Sequence, residues 1–201
     1  MTHSVGIFVF DDVEVLDFAG PYEVFTTASR MHARLDNTSL PLFHVFTLGQ
    51  TRSPLRARAG LSVFPDQDFS QQAKPDVLII PGGVVTAELA KPEVIQWIAA
   101  TATHSKITAS VCTGAFLLAQ AGLLSGKQAT THWEDVDDFK TMFPAVQIQT
   151  NLRWVDAGSI VTSAGISAGI DMSLHLVERL AGRALAARTA HQLDFAWTEN
   201  T

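Results

Sequence analysis

The sequence contains a single cysteine, Cys112, which follows an apolar segment and directly precedes Thr113 and Gly114. A cysteine at the start of a helix faces unpaired backbone N–H groups and the positive end of the helix dipole, and both favour the thiolate. A strained turn between a strand and a helix also raises a nucleophile out of a sheet. The position therefore predicts a nucleophile at neutral pH, whereas composition alone favours a cysteine that simply fills space in the core.

Three groups of chemical interest follow three different apolar segments. Asp17 comes after the first segment, Gly82 and Gly83 come after a middle one, and Cys112 follows the next. Because ligands of doubly wound sheets collect beyond the carboxyl ends of the strands, we expect these residues to meet in one crevice. Each also has a plainer interpretation, since Asp17 precedes a predicted helix and could cap it, and the glycines could serve only a turn.

Short apolar segments alternate with helical patterns along the sequence. The predicted strands are residues 5–10, 43–48, 76–80, 106–111, 148–155 and 160–162, with a shorter one at 61–64 in a small hairpin. The predicted helices are residues 20–29, with Pro21 in the first turn, 92–103, 115–121, 133–143 and 168–180, then an amphipathic helix from 183 to about 195. This order predicts an α/β fold, a flavodoxin-like, doubly wound, mostly parallel sheet with helices on both faces.

The composition fits one packed domain over residues 1–201. Hydrophobic residues make up 47% of the chain and charged residues 17%, which is typical of a globular protein with a large buried sheet. The formal net charge is −6 and the basic residues form no run, so nucleic acid is not expected as a partner.

The sequence shows no targeting, metal or nucleotide motif. The first ten residues lack the features of a secretory signal, and no apolar run approaches transmembrane length, so we expect a cytoplasmic protein with no membrane partner. A lone cysteine agrees with a reducing compartment. The seven histidines have no compact spacing, and Gly165-Ile-Ser-Ala-Gly lacks the ending of a phosphate loop. We therefore expect neither a metal nor another cofactor.

Four segments stand out as a set. They are Leu16-Asp-Phe-Ala-Gly-Pro, Ile80-Pro-Gly-Gly, Ser110-Val-Cys-Thr-Gly-Ala-Phe-Leu-Leu-Ala-Gln-Ala-Gly-Leu-Leu followed by Ala129-Thr-Thr-His-Trp, and Ala164-Gly-Ile-Ser-Ala-Gly-Ile-Asp. Together they resemble the DJ-1/PfpI superfamily and its nucleophile elbow, over about residues 4–182. Within it, the chain is most similar to isonitrile hydratases and to the amidotransferase-like sensor domains of AraC-type transcription regulators.

The resemblance implies roles for individual residues. Cys112 matches the family nucleophile, and Asp17 matches the acidic residue beside it in isonitrile hydratases. The backbone N–H of Thr113, with that of Gly83, is suited to stabilise negative charge. His132 matches a histidine that lies near the cysteine in several members, although it could equally satisfy only a backbone carbonyl.

Further residues are expected around the site. Gly82, Gly83 and Trp133 are expected to bind the substrate or its oxyanion, and Phe18 and Val84 are expected to help line the pocket. Glu14 is a possible substitute for Asp17 as the acid. Asp171 lies at the start of a predicted helix, where capping is the favoured role.

The activity implied by the resemblance is cofactor-independent hydration of an isonitrile to an N-substituted formamide through a cysteine thioimidate. One alternative is a small-molecule sensor domain without its own DNA-binding region. Another is glyoxalase-like chemistry on reactive aldehydes, in which the same thiol would form a hemithioacetal. In each case the partner is a small molecule, and the family implies a homodimer.

Overall fold

A seven-stranded sheet forms the centre of the protein in a computed structural model that describes residues 2–36, 40–71 and 74–200. The strands of the whole protein, four of which lie outside this sheet, are β1 (His3–Phe8), β2 (Phe43–Gly49), β3 (Leu55–Arg56), β4 (Ser62–Val63), β5 (Gln67–Asp68), β6 (Val77–Ile80), β7 (Ile107–Val111), β8 (Gln128–Ala129), β9 (Gln147–Ile148), β10 (Trp154–Asp156) and β11 (Ile160–Ser163). The helices are α1 (Val15–Asp36), α2 (Thr86–Leu89), α3 (Pro92–Ala102), α4 (Gly114–Gln120), α5 (Val136–Met142), α6 (Ala168–Ala181) and α7 (Arg183–Gln192).

The strand order of the main sheet is β10-β11-β7-β6-β1-β2-β5. All neighbouring strands are parallel except β10 and β11, which are antiparallel. The order reverses between β1 and β6, because β2 and β5 lie on one side of β1 and the strands from β6 onward lie on the other. This confirms the predicted doubly wound α/β fold, and ligands are expected at such a reversal.

The central strands are buried on both faces, as their apolar sequences predicted. Every residue of β6 and β7 is buried. Side chains alternate between the two faces, so Ile7 and Ile79 pack with α1 and α6, whereas Phe8 and Leu78 pack with the α3 and α4 side. Helices thus cover both faces of the sheet.

The first helix differs from its prediction. It begins at Val15 and places Pro21 inside the helix, whereas the sequence predicted a start at residue 20 with Pro21 in the first turn. Asp17 is therefore in the first turn and not an N-terminal cap. The buried Asp17 side chain ties this turn to the core, and that tertiary contact outweighs the local cost of the proline.

Other boundaries moved for similar reasons. The first strand is His3–Phe8, not 5–10, and the 61–64 strand shortens to β4. The predicted strand 148–155 divides into β9 and β10, and a 3₁₀ turn, Trp133–Asp135, precedes α5. Elements of two or three residues depend on tertiary pairing more than on local pattern.

Asp171 has a structural partner and does not cap a helix. It lies within the first turn of α6, is fully buried, and forms an ion pair with Arg153. Its Oδ1 also accepts a hydrogen bond from the Thr198 backbone N–H at 2.7 Å. The capping prediction is wrong because the carboxylate instead joins α6 to the β10 region and to the C-terminal segment.

Candidate active site

Cys112 occupies the turn between β7 and α4. Its φ of 57° lies in the left-handed region, which is uncommon for a residue other than glycine. The surrounding backbone holds it there, because its N–H donates to the Ala164 carbonyl at 3.0 Å and its carbonyl accepts from Thr131 Oγ1 at 3.0 Å. Strain that the surroundings enforce in this way is found at functional sites. The predicted nucleophile elbow is therefore present in its geometry.

A close backbone contact sets the position of this turn. A Cβ at Gly114 would lie 2.0 Å from the Ile80 carbonyl oxygen, so the first residue of α4 sits directly against the end of β6. Only glycine allows this approach. The contact brings the elbow beside the Gly82–Gly83 loop, as the order of the strands predicted.

Asp17 approaches the same point from α1. Its side chain is 0% exposed, and its Oδ2 accepts a hydrogen bond from the Gly82 N–H at 3.0 Å. The other oxygen, Oδ1, is buried and has no partner of good hydrogen-bond geometry in the described parts of the chain. The Cys112 thiol is nevertheless close enough to lower the pKa of Asp17. The carboxyl and the thiol thus form a buried pair.

Burial raises the pKa of Asp17 from 3.8 to about 7. The Gly82 N–H stabilises the carboxylate and so lowers the pKa, whereas the negative charge of Glu14 raises the pKa further. A carboxyl with this pKa is protonated in a large fraction of molecules at neutral pH. It is thereby able both to accept and to donate a proton.

The Cys112 thiol does not have the lowered pKa that its position predicted. Burial first, and the charge of Asp17 second, raise the pKa of Cys112 to about 12, although the N–H groups of Thr113 and Ile166 act in the opposite direction. The side chain is only 7% exposed, so the loss of hydration outweighs the amides at the start of α4. The prediction of a thiolate at neutral pH is wrong, and the resting sulfur carries a proton.

The predicted pair of oxyanion donors is only partly available. The Gly83 N–H donates to Thr113 Oγ1 at 2.9 Å, and that hydroxyl donates back to the Gly83 carbonyl at 2.9 Å. The Gly82 N–H is used by Asp17. The expectation that Gly83 supplies a free donor is therefore wrong in this conformation, and these two glycines instead hold the elbow and the acid in place.

Ile166 is a residue of the site that its sequence did not predict. Its backbone N–H, with that of Thr113, lowers the pKa of the Cys112 thiol, and its φ of 32° marks a second strained position. The only signal in the sequence was the Gly165-Ile-Ser motif, which we considered only as a phosphate loop. A Cβ at Gly165 would lie 2.5 Å from His132 Cδ2, so that glycine allows the turn to pack against the histidine.

His132 lines the same cavity as Cys112 without a hydrogen bond to it. Its Nδ1 lies 3.1 Å from Asp135 Oδ2 and also accepts from the Glu134 N–H at 3.4 Å. The side chain thus caps the 3₁₀ turn that starts at Trp133. The His132 ring thus contacts a carboxylate and a backbone N–H, not the backbone carbonyl of the structural interpretation, and its part in chemistry stays a prediction.

A cavity of about 580 Å³ opens beside the cysteine. Its lining includes Cys112, Thr113, Gly83 and the following apolar residues: Val84, Val85, Leu89, Phe116, Met142 and Ile166. The volume suits a small molecule. Glu14 also lines this cavity, where it pairs with Arg58 at 3.2 Å. The acid that lies against the thiol is Asp17.

Two expected lining residues lie elsewhere. Trp133 is 74% exposed and borders a separate cavity of about 360 Å³ with Thr130 and Thr131. Phe18 packs against the core clusters and does not line the 580 Å³ cavity. Both expectations are wrong, because Trp133 borders the other cavity and the Phe18 ring packs into the core.

The described ranges contain neither a side-chain cluster suited to a metal ion nor a helix suited to span a membrane. Within residues 2–36, 40–71 and 74–200, no group of three or more histidine, cysteine, aspartate or glutamate side chains is placed to hold a metal ion. None of the helices in those ranges is both long enough and apolar enough to span a bilayer.

A cysteine on a strained elbow after β7, in a flavodoxin-like sheet and with a buried carboxyl against it, defines a class of α/β proteins with a cysteine-centred cavity. The chain belongs to the DJ-1/PfpI family, whose family model matches residues 3–179.

Three relatives illustrate the similarity. The isonitrile hydratase of Pseudomonas putida is 34% identical over 98% of this chain and 80% of its own length. The HTH-type transcriptional regulator CdhR of Pseudomonas aeruginosa is 29% identical over 96% of this chain, which spans only 55% of the regulator. The crystal structure of a ThiJ/PfpI family protein from Pseudomonas syringae superposes with a TM-score of 0.85 and 25% identity, over 100% of this chain and 78% of that one.

Proposed function

We propose that this protein hydrates a small isonitrile to an N-substituted formamide, with Cys112 as the nucleophile and Asp17 as the acid and base. The observation that carries this proposal is the buried Asp17 carboxyl, with a pKa of about 7, against the Cys112 thiol beside a cavity of about 580 Å³. The similarity to an isonitrile hydratase supports the substrate class.

In the first step, sulfur adds to the terminal carbon of the isonitrile. Ionised Asp17 accepts the thiol proton as the C–S bond forms, and it then donates that proton to the same carbon. The product is a thioimidate, R–N=CH–S–Cys112, and Asp17 is again ionised. The step therefore adds S–H across one carbon atom without a net change in protons.

In the second step, water adds to the thioimidate carbon. Asp17 accepts one proton from the water and passes it to the nitrogen, which gives the tetrahedral adduct R–NH–CH(OH)–S–Cys112. Asp17 then accepts the hydroxyl proton of the adduct as the C–S bond breaks. Sulfur recovers the proton held by Asp17, and the product is R–NH–CHO. Water is thus added overall, and neither a redox change nor a cofactor is required.

The backbone amides assist the passage of charge through sulfur. The N–H groups of Thr113 and Ile166 stabilise negative charge on Cys112, which is needed only while its proton is on Asp17. The donors are fixed by the fold, so no reorganisation accompanies the reaction.

The direct experiment follows formamide production from cyclohexyl isonitrile. We expect turnover by the wild type, none by Cys112→Ala, and a loss of at least about 100-fold in Asp17→Asn, since a positioned acid and base contributes that much. The matched control is Glu14→Gln, which should retain most of the activity. Glu14 is a carboxylate of the same cavity whose charge is already paired with Arg58. No turnover by the wild type, or equal turnover by Cys112→Ala, would refute the proposal.

A second candidate function is small-molecule sensing. It is favoured by the regulator relatives, which match nearly the whole chain while the chain spans about half of their length. A ligand that raises the melting temperature strongly and is recovered chemically unchanged would favour sensing over catalysis. A homodimer and a cytoplasmic location stay predictions.

A further inference from the structure

The cavity beside Cys112 carries an uneven distribution of charge. Among the described residues that line it, four are carboxylates and one is a guanidinium, which gives a formal charge of −3 (4 minus 1) with His132 neutral. Glu134, Asp135 and Asp138 stand together on the 3₁₀ turn and the start of α5. We refer to these three residues as the acidic wall.

Within the described residues, no lysine or arginine pairs with the acidic wall. The fourth carboxylate, Glu14, is neutralised by Arg58 at 3.2 Å. In contrast, Asp135 faces only the ring of His132, and Glu134 is 4.0 Å from that ring. Neither of them, nor Asp138, forms an ion pair with a lysine or arginine in the part of the chain that the structure describes. Their charge is therefore available to a ligand.

The charge of the wall reaches the reacting sulfur. The negative charge of Asp135 contributes to the raised pKa of Cys112, so the wall and the thiol share one electrostatic environment. Apolar side chains, Phe116 and Met142 among them, also line the cavity. A ligand in this cavity therefore has the reactive sulfur, an apolar surface and a negative surface within its reach.

We propose that the cavity selects its substrate by charge, preferring small isonitriles that carry an ammonium group and rejecting those that carry a carboxylate. The proposal rests on the proposed function for the reacting group, and on the acidic wall for the charge. An ammonium group of the substrate pairs with Glu134 or Asp138, while the isonitrile carbon contacts sulfur. An anionic substrate must instead approach both the wall and the ionised form of Asp17.

The first test reads the charge of the cavity without turnover. Cys112 is the sole thiol, so its modification is unambiguous. The probes are 2-aminoethyl and 2-sulfonatoethyl methanethiosulfonate, which are similar in size and opposite in charge, with rates normalised to those of 2-mercaptoethanol. We expect the cationic reagent to react about tenfold faster at low salt and the ratio to fall in concentrated salt.

The chain provides a matched control on the same helix. Glu134→Gln with Asp138→Asn should reduce the ratio several-fold. Asp137→Asn should leave it unchanged, because the Asp137 side chain is 95% exposed and does not line this cavity. Equal normalised rates in the wild type, or an equal effect of Asp137→Asn, would overturn the proposal.

A second test separates this inference from the proposed function. It compares kcat/KM for 2-isocyanoethylammonium, isocyanoacetate and the neutral cyclohexyl isonitrile. Turnover of all three without preference would overturn charge selection and leave hydration intact. A cationic preference of the thiosulfonates without turnover of any isonitrile would refute hydration and leave the selectivity of the cavity standing.

Discussion

The Gly82 backbone N–H donates to Asp17 Oδ2 at 3.0 Å and thereby joins the loop after β6 to the first turn of α1. A Cβ at Gly82 would lie 2.9 Å from Asp17 Oδ2 and 2.6 Å from the Thr113 nitrogen. One residue without a side chain thus holds the acid and the elbow together. The proposed proton exchange between Asp17 and Cys112 requires this arrangement.

The pH dependence of the reaction should follow the Asp17–Cys112 pair. In the active form the pair holds one proton, on the Cys112 sulfur, and the Asp17 carboxyl is ionised. Below a pH of about 7 the carboxyl is protonated as well, so the pair holds two protons. Therefore kcat/KM should rise with pH and level off above about 7, with a value at pH 6 about tenfold below the plateau. Initial rates with cyclohexyl isonitrile between pH 5 and 9 measure this. A profile that is flat, or that falls as pH rises through 7, is incompatible with the mechanism.

The stability of Asp17→Asn relative to the wild type should depend on pH. The pKa of Asp17 is raised in the folded state, so its favourable contribution is complete below its unfolded pKa and is lost as pH rises through about 7. Asparagine does not ionise and escapes this loss. The variant should gain about 3 kcal/mol relative to the wild type between pH 5 and 8.

Urea unfolding of both proteins at the two pH values measures this difference. Constant effects of the substitution cancel, since only the change with pH is compared. A relative stability that stays level would show that Asp17 ionises normally, and one that moves against the variant as pH rises would show that its pKa is lowered in the folded state. Either result would contradict the raised pKa.

The contact between Gly114 and Ile80 should tolerate no side chain. Gly114→Ala would place its Cβ 2.0 Å from a backbone oxygen and should lower the free energy of unfolding by more than about 3 kcal/mol. Gly158→Ala serves as the control, because its Cβ would meet nothing within 4 Å and only its φ of 87° opposes the change. We expect a loss of about 1 kcal/mol there. Thermal unfolding separates the two, and similar melting temperatures would contradict the packing described.

The buried ion pair of Arg153 and Asp171 should matter more than an exposed one. Arg153→Gln leaves the fully buried Asp171 carboxylate without its cation and should cost about 3 kcal/mol. Arg183→Gln removes an exposed pair with Glu199 at 2.6 Å and should lower the free energy of unfolding much less, because solvent screens that pair. Urea unfolding of both variants provides the comparison, and the reverse ranking would argue against a structural role for Asp171.

The sequence predicted what depends on local pattern. The apolar run that ends at Ile80 and the run before Cys112 are buried strands, and Gly114 begins the helix that follows. Since parallel strands end at one edge of a sheet, their order also predicted that Asp17, Gly82 and Cys112 would meet.

Properties that depend on burial and on side-chain direction could not be predicted in this way. The helix dipole alone predicts a lowered pKa for Cys112, but the desolvation of the buried thiol raises that pKa and is the larger effect. Trp133 follows His132 directly, yet only His132 lines the main cavity. The role of the Ile166 backbone N–H could not be read from the residue type, because every residue except proline has a backbone N–H.

The most direct test of the account is the titration of the Asp17 carboxyl itself. Carbon-13 NMR of protein labelled at the aspartate carboxyl carbons, with Asp17 assigned from its absence in Asp17→Asn, follows this group alone. The account predicts a midpoint near pH 7 that shifts when Cys112 is replaced by alanine. A midpoint near 4, unchanged by that replacement, would contradict it.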